Sequence, residues 1–219
     1  MSRLIAFIIG SGANIGQHTA AALKAQGYHV AVGSRTPALA QATKDGYFPV
    51  AVDATRPESI KAAFAKINQE LGPPNVVIFN GKITAMDPGT LVVPPVPDDP
   101  LTLPLDAFAQ HADVGLPVFA AAQEAVQGFR AAINTGALRT FIVTGNPLPW
   151  VPADNSVTIG LNIQKLTEWR LMALFASAYA KENIRGPQHA KVYSDLVSRG
   201  DQADWDYRFT LKGEQWKKD

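Results

Sequence analysis

The sequence predicts an α/β domain in which a doubly wound parallel sheet is covered by helices on both faces, giving three layers. Three observations carry that prediction. Short apolar runs alternate with helix-like segments along most of the chain, the pattern that strand–helix–strand crossovers need. The first run, Leu-Ile-Ala-Phe-Ile-Ile at 4–9, breaks at a glycine-bearing turn, Gly10-Ser-Gly12-Ala-Asn14-Ile-Gly16. An alanine-rich helical pattern follows at once as far as Gln26, so strand, turn and helix start lie in one line.

That order gives the turn its chemistry. Glycine takes up positive φ and lets backbone come close to a ligand, while the open N–H groups and dipole of a helix start attract an anion. Gly10, Gly12, Asn14, Ile15 and Gly16 are therefore candidate contacts to a pyrophosphate, as in a Rossmann dinucleotide-binding unit. An ordinary strand-to-helix turn is the alternative.

The remaining elements follow from the same patterns. The strand at 4–9 leads to a helix at 14–26 that stops at Gly27. A second strand is expected at 29–33 and a third at 48–52, with a short helix between them. Thr55-Arg-Pro-Glu58 has the form of a capping box with proline in the first turn, opening a helix to about Leu71. Residues 76–79 form the fourth strand. Six prolines fall within 86–104, which excludes a central strand or regular helix. An ordered loop over one edge of the sheet is expected there, with a mobile lid as the alternative. Helices are expected at 105–112 and 116–135, a fifth strand at 139–144 and a long amphipathic helix at 156–181. A helix at 188–197 and a last strand at 207–211 complete the chain, with no internal repeat or domain boundary.

Composition narrows the function. A single domain spanning 1–219 is long enough to bury a core, and 47% hydrophobic residues argue against disorder. The formal charge is +1 with both signs scattered, so neither nucleic acid nor an anionic membrane surface is an expected partner. Cysteine is absent, which excludes disulfides, thiolate metal sites and a cysteine nucleophile. His18, His29, His111 and His189 lack ligand spacing, so no metal is expected. No apolar stretch is long enough to span a bilayer, and the N-terminal run reads as a strand, not a targeting segment. A soluble cytoplasmic protein is expected.

The second strand runs out in Val-Gly-Ser34-Arg35, where an acid would favour an unphosphorylated ribose. Arg35 can pair bidentately with a 2′-phosphate and Ser34 offers a hydroxyl, so NADP(H) is expected over NAD(H). A surface arginine at a strand end is the alternative. Asp53, after the third strand, is placed near the adenine or, more simply, caps the turn before Thr55. Asn80 and Gly81 can line the cofactor with backbone groups, though Asn-Gly is also a common turn.

On these features the chain resembles the short-chain dehydrogenase/reductase family up to about Arg185. Gly10 and Gly16 match the outer glycines of the family's Gly-x-x-x-Gly-x-Gly. Asn14 stands at the middle one, where its tolerance of the left-handed region keeps the turn. Asn80-Gly81 resembles a shortened Asn-Ala-Gly. Lys165 matches the lysine of Tyr-x-x-x-Lys, because Ile184-Arg185 stands at the family's spacing beyond it, leading into a sixth strand. The tyrosine position is then Leu161, the serine position about Asn146 and the fourth-helix asparagine position about Gly115.

The resemblance implies a divergent member whose cofactor half is intact and whose proton-delivery half is not. In the family the tyrosine hydroxyl protonates the carbonyl oxygen, and the lysine binds the nicotinamide ribose; leucine donates no proton. Lys165, Asn146 and Thr144 are the candidate catalytic residues, with Thr158 or water as further proton sources. A surface lysine is the alternative for Lys165. Tyr179 is read as core or interface, and His111 as structural. The expected activity is NADP(H)-dependent reduction of a carbonyl or conjugated double bond in a small molecule. The alternatives are an NADP(H)-binding protein without redox turnover and a non-redox isomerase or cyclase. The resemblance also implies a homodimer or homotetramer, paired through faces at 119–123 and 171–175.

Overall fold

The computed structural model describes residues 3–81, 92–96, 99–131, 139–146, 159–179 and 184–185. Strands β1 (Ile5–Ile9), β2 (His29–Ser34), β3 (Phe48–Ala51), β4 (Val76–Phe79), β5 (Arg139–Val143) and β6 (Ile184–Arg185) form one parallel sheet. The helices are α1 (Ile15–Ala25), α2 (Leu39–Lys44), α3 (Pro57–Glu70), α4 (Leu105–Ala112), α5 (Gly115–Ala131) and α6 (Ile159–Tyr179). Strand order across the sheet is β3-β2-β1-β4-β5-β6. The chain winds outward from β1 to β3, returns to lay β4 beside β1, and winds the other way. Its reversal falls between the C-terminal ends of β1 and β4, where a doubly wound sheet opens a crevice.

The strands are nearly continuous apolar runs because both sheet faces are covered. Successive side chains alternate between those faces. Ile5, Phe7 and Ile9 of β1 join a large cluster with α3, α5 and α6, whereas Ala6 and Ile8 meet Ala20 and Leu23 of α1. Phe7 and Phe64 pack edge to face, with ring centroids 5.1 Å apart, and seat α3 on the sheet. Ile60, Ala63, Phe64 and Ile67 recur at helical spacing, which gives α3 its single buried face.

Most elements fall within a residue or two of expectation. Helix α1 stops at Gly27, where φ is +88° and the Gly27 and Tyr28 N–H groups donate to the Lys24 and Leu23 carbonyls. Residues 184–185 pair in parallel with β5, as the sixth strand should. Three details differ. The N-cap of α3 is Arg56 with no side-chain cap, not Thr55. Thr55 instead donates its N–H and hydroxyl to Asp53 Oδ1, at 2.9 and 2.7 Å, so the carboxylate competes successfully for the groups a capping box would use. Asn14 has φ −97°, outside the left-handed region. It serves as the N-cap of α1, its carbonyl accepting from the His18 N–H and ring, while Gly10 takes the positive φ.

The third difference lies in α6. Its fully buried line is Gly160, Gln164, Glu168 and Met172, which is half polar rather than an apolar stripe. The alanines at 120–122, expected on a pairing face, are buried within this chain. Tyr179 packs against the larger cluster with Arg130 over its ring. In the proline-rich segment, Pro100–Thr102 makes a single 3-10 turn capped by Asp99. The rest of that segment, at 86–91 and 97–98, lies outside the described residues, as do Thr158 and the elements expected at 188–197 and 207–211. No helix among the described residues is long and apolar enough to cross a membrane.

Candidate functional site

The turn after β1 is fixed by crowding. A side chain at Gly10 would strike the Asn80 carbonyl, and the +88° φ there suits only glycine comfortably. The N–H groups of Gly10 and Ser11 both donate to the Gly33 carbonyl at 2.9 Å, and the Ser11 hydroxyl donates to it at 3.1 Å. Strand β2 thus holds the turn down. Gly16 lies tight against Ser11 and Gly10, which brings the start of α1 onto the strand end. Gly12 is the opposite case: among the described residues nothing lies within 4 Å of where its Cβ would be.

Asn80 ties three strand ends together. Its backbone N–H donates to the Ile9 carbonyl at 2.8 Å, and its Nδ2 donates to the Gly10 carbonyl at 2.8 Å. Its Oδ1 accepts from the Thr144 hydroxyl, also at 2.8 Å, just past β5. The side chain therefore serves the fold, a role the sequence did not suggest.

These groups open on a cavity of about 550 Å³ at the C-terminal ends of the strands. Gly10, Gly12, Asn14, Ile15, Ser34, Arg35, Asp53, Asn80, Gly81, Thr144, Asn146 and Lys165 all line it, and so does Leu161. Gly16 stands behind the turn instead, and Gly115 faces Thr167 and Leu171 of α6. Ser11, Thr55 and Gln164 also line the cavity and were not anticipated. At one end, partial burial works against the charged form of Asp53. Hydrogen bonds from the Thr55 N–H and hydroxyl, with Arg35 and Arg56 nearby, more than offset that and hold its carboxyl below the ordinary value.

At the other end α6 presents an ion pair. Lys165 Nζ donates to Glu168 Oε2 at 2.6 Å, with the two side chains only 13% and 4% exposed. Gln164 Nε2 donates to the other oxygen, Oε1, at 3.0 Å. Removing either member of such a pair strands the other's charge in a poorly hydrated place. Among the described residues Gln164 Oε1 is buried without a hydrogen-bond partner, a cost of about 1–3 kcal/mol. The signal for Glu168 was readable, since an acid three residues after a helical lysine shares its face. One turn earlier, the buried His111 ring occupies the space that a side chain at Gly160 would need, seating α4 on α6 beside Leu161.

A family model described as short chain dehydrogenase matches residues 4–91, the part that carries the turn, Arg35 and Asn80. The chain is also similar to the short chain dehydrogenase/reductase dmxR12 of Cryptosporiopsis sp. (strain 8999), with 29% identity over 228 residues covering 94% of this chain and 91% of that one. By these likenesses the chain is similar to the short-chain dehydrogenase/reductase family. Proteins of known structure share its fold. A short-chain dehydrogenase from Rhodopseudomonas palustris aligns over 91% of this chain and 93% of its own, with a TM-score of 0.69 and 18% identity. A short-chain type dehydrogenase/reductase from Mycobacterium marinum gives a TM-score of 0.64 at 24% identity, over 84% of this chain and 72% of that one. L-Sorbose reductase from Gluconobacter frateurii, solved with NADPH and L-sorbose, gives 0.66 at 20% identity, over 84% and 67%.

Proposed function

We propose that the cavity binds NADP(H) and that the protein is an atypical oxidoreductase reducing a carbonyl or conjugated double bond of a small molecule. The observation that carries this reading is the meeting of the Gly10–Gly16 turn, Arg35 and Lys165 around one cavity at the switch point of the sheet. Open space at Gly12 leaves room for a pyrophosphate against bare backbone, next to the start of α1. Arg35 and Ser34 would hold the 2′-phosphate, Asp53 would lie by the adenine, and Asn80, Gly81 and Lys165 would border the nicotinamide and its ribose. The bound reduced cofactor would supply hydride. Asn146 and Thr144 border the substrate end, where Asn146 can orient a carbonyl or a water. The choice of NADP(H) rests on Arg35, since the fold serves both dinucleotides: one structural neighbour is an NADH-dependent reductase complexed with NAD.

A second reading, NADP(H) binding without redox turnover, is favoured by Leu161, which lines the cavity four residues before Lys165 and donates no proton. Fluorescence titration with NADPH, followed by absorbance at the nicotinamide band with ketones and enones, separates the two. Saturable binding with consumption supports the first reading; binding without consumption across the panel supports the second; absence of binding defeats both. A cytoplasmic location and a homodimer or homotetramer go with either reading. The exposed Leu116, Phe119, Leu166 and Leu174 on α5 and α6 would form the pairing face.

A further inference from the structure

We infer that Lys165 itself delivers the proton to the substrate oxygen and that Glu168 positions it to do so; the inference rests on the reductase reading above. Among the described residues lining the cavity, the titratable ones are Arg35, Asp53 and Lys165. Arg35 and Asp53 follow β2 and β3, three and four strand positions from β5, or roughly 14 Å and more at the usual strand spacing. Near β5 the choices narrow further. The Thr144 hydroxyl already spends its proton on Asn80 Oδ1. The Asn146 amide is no acid at neutral pH, and Leu161 has nothing to give. Lys165 remains.

Its chemistry is adequate. An alkylammonium, like a phenol, carries an ionisable proton on a heteroatom, so lysine can stand in for the absent tyrosine. An ammonium carries three N–H donors. One is committed to Glu168, at 2.6 Å, leaving two for a ribose hydroxyl and the substrate oxygen. Glu168 cannot swing away, because its second oxygen is held by Gln164. As hydride adds to the carbonyl carbon, the π pair moves to oxygen, one Lys165 N–H bond breaks and an O–H bond forms. Lysine is left as a neutral amine that solvent reprotonates, and the two electrons gained by the substrate are those of the hydride.

The test uses the full chain with Lys165→Arg, Glu168→Gln and Glu168→Ala, each checked for folding by circular dichroism. Arginine keeps a cation and its donors but does not give up a proton. At saturating NADPH, Lys165→Arg is expected to oxidise the nucleotide at least about 100-fold more slowly than the parent with an o-quinone and a panel of aryl ketones. At saturating NADPH, Glu168→Gln, which still offers Nζ an acceptor, should retain about a tenth or more of turnover, and Glu168→Ala about tenfold less than that. Without any turnover, the Lys165 side-chain carbon resonance should move in Glu168→Gln; an unmoved resonance overturns the positioning role. Turnover by Lys165→Arg within about threefold of the parent overturns proton donation and leaves the reductase reading standing. NADPH binding with no turnover in the parent itself overturns both.

Discussion

Arg35 and Asp53 line the same cavity, at the end where we propose the adenine lies, and each makes a separate prediction. If Arg35 holds a 2′-phosphate, Arg35→Ala removes charge-assisted hydrogen bonds of about 1.5–3 kcal/mol, or about 10- to 100-fold in NADPH affinity. NADH affinity should change little, and equilibrium titration of both nucleotides checks it. Asp53 is ionised more readily in the folded chain than its ordinary value of 3.8. It therefore stabilises the fold fully above that value, and the contribution is lost as pH falls below it through the lowered folded value. Urea midpoints taken from pH 5 to pH 2.5, about the span of that transition, should fall less steeply in Asp53→Asn than in the parent. Both residues were legible in the sequence because strand ends can be located from apolar runs. Glu168 and Gln164 were not singled out: the spacing of Glu168 from Lys165 was readable, but nothing in a helix's apolar pattern marks polar side chains as its buried face.

At the scale of elements, α6 depends on α4 for its seat. Gly160 lies where the His111 ring leaves no room for a Cβ. Helix propensity alone makes Gly160→Ala stabilising by up to about 1 kcal/mol. Crowding reverses the sign, so the variant should be less stable by about 1–3 kcal/mol in urea denaturation. Replacing His111 with alanine in the same chain should recover part of the loss; a more stable single variant would mean that α4 yields easily. The capping box at Thr55 was misread for a local reason. Asp53 precedes Thr55 by two residues and its carboxylate takes the N–H and hydroxyl first. Asn14 was placed in the left-handed region by analogy with glycine, whereas the positive φ falls at Gly10.

At the scale of the whole molecule, the strand order follows from alternating strands and helices, and it puts the cavity at the reversal between β1 and β4. This level of organisation was the most legible, since continuous apolar strand runs and helix-like segments alternate along the described chain. Association was less so. The alanines at 120–122 proved to be core, while Leu116, Phe119, Leu166 and Leu174 stand exposed. If these form an isologous interface, Leu166→Glu should convert a dimer to a monomer in sedimentation at micromolar concentration without lowering NADPH affinity. A parent chain that sediments as a monomer would remove the pairing face.

Calorimetric titration of the parent chain with NADPH and with NADH bears most directly on the proposed cofactor site. The expected result is one saturable site per chain, with NADPH bound at least about tenfold more tightly than NADH. Absence of binding with both nucleotides would contradict the account at its root.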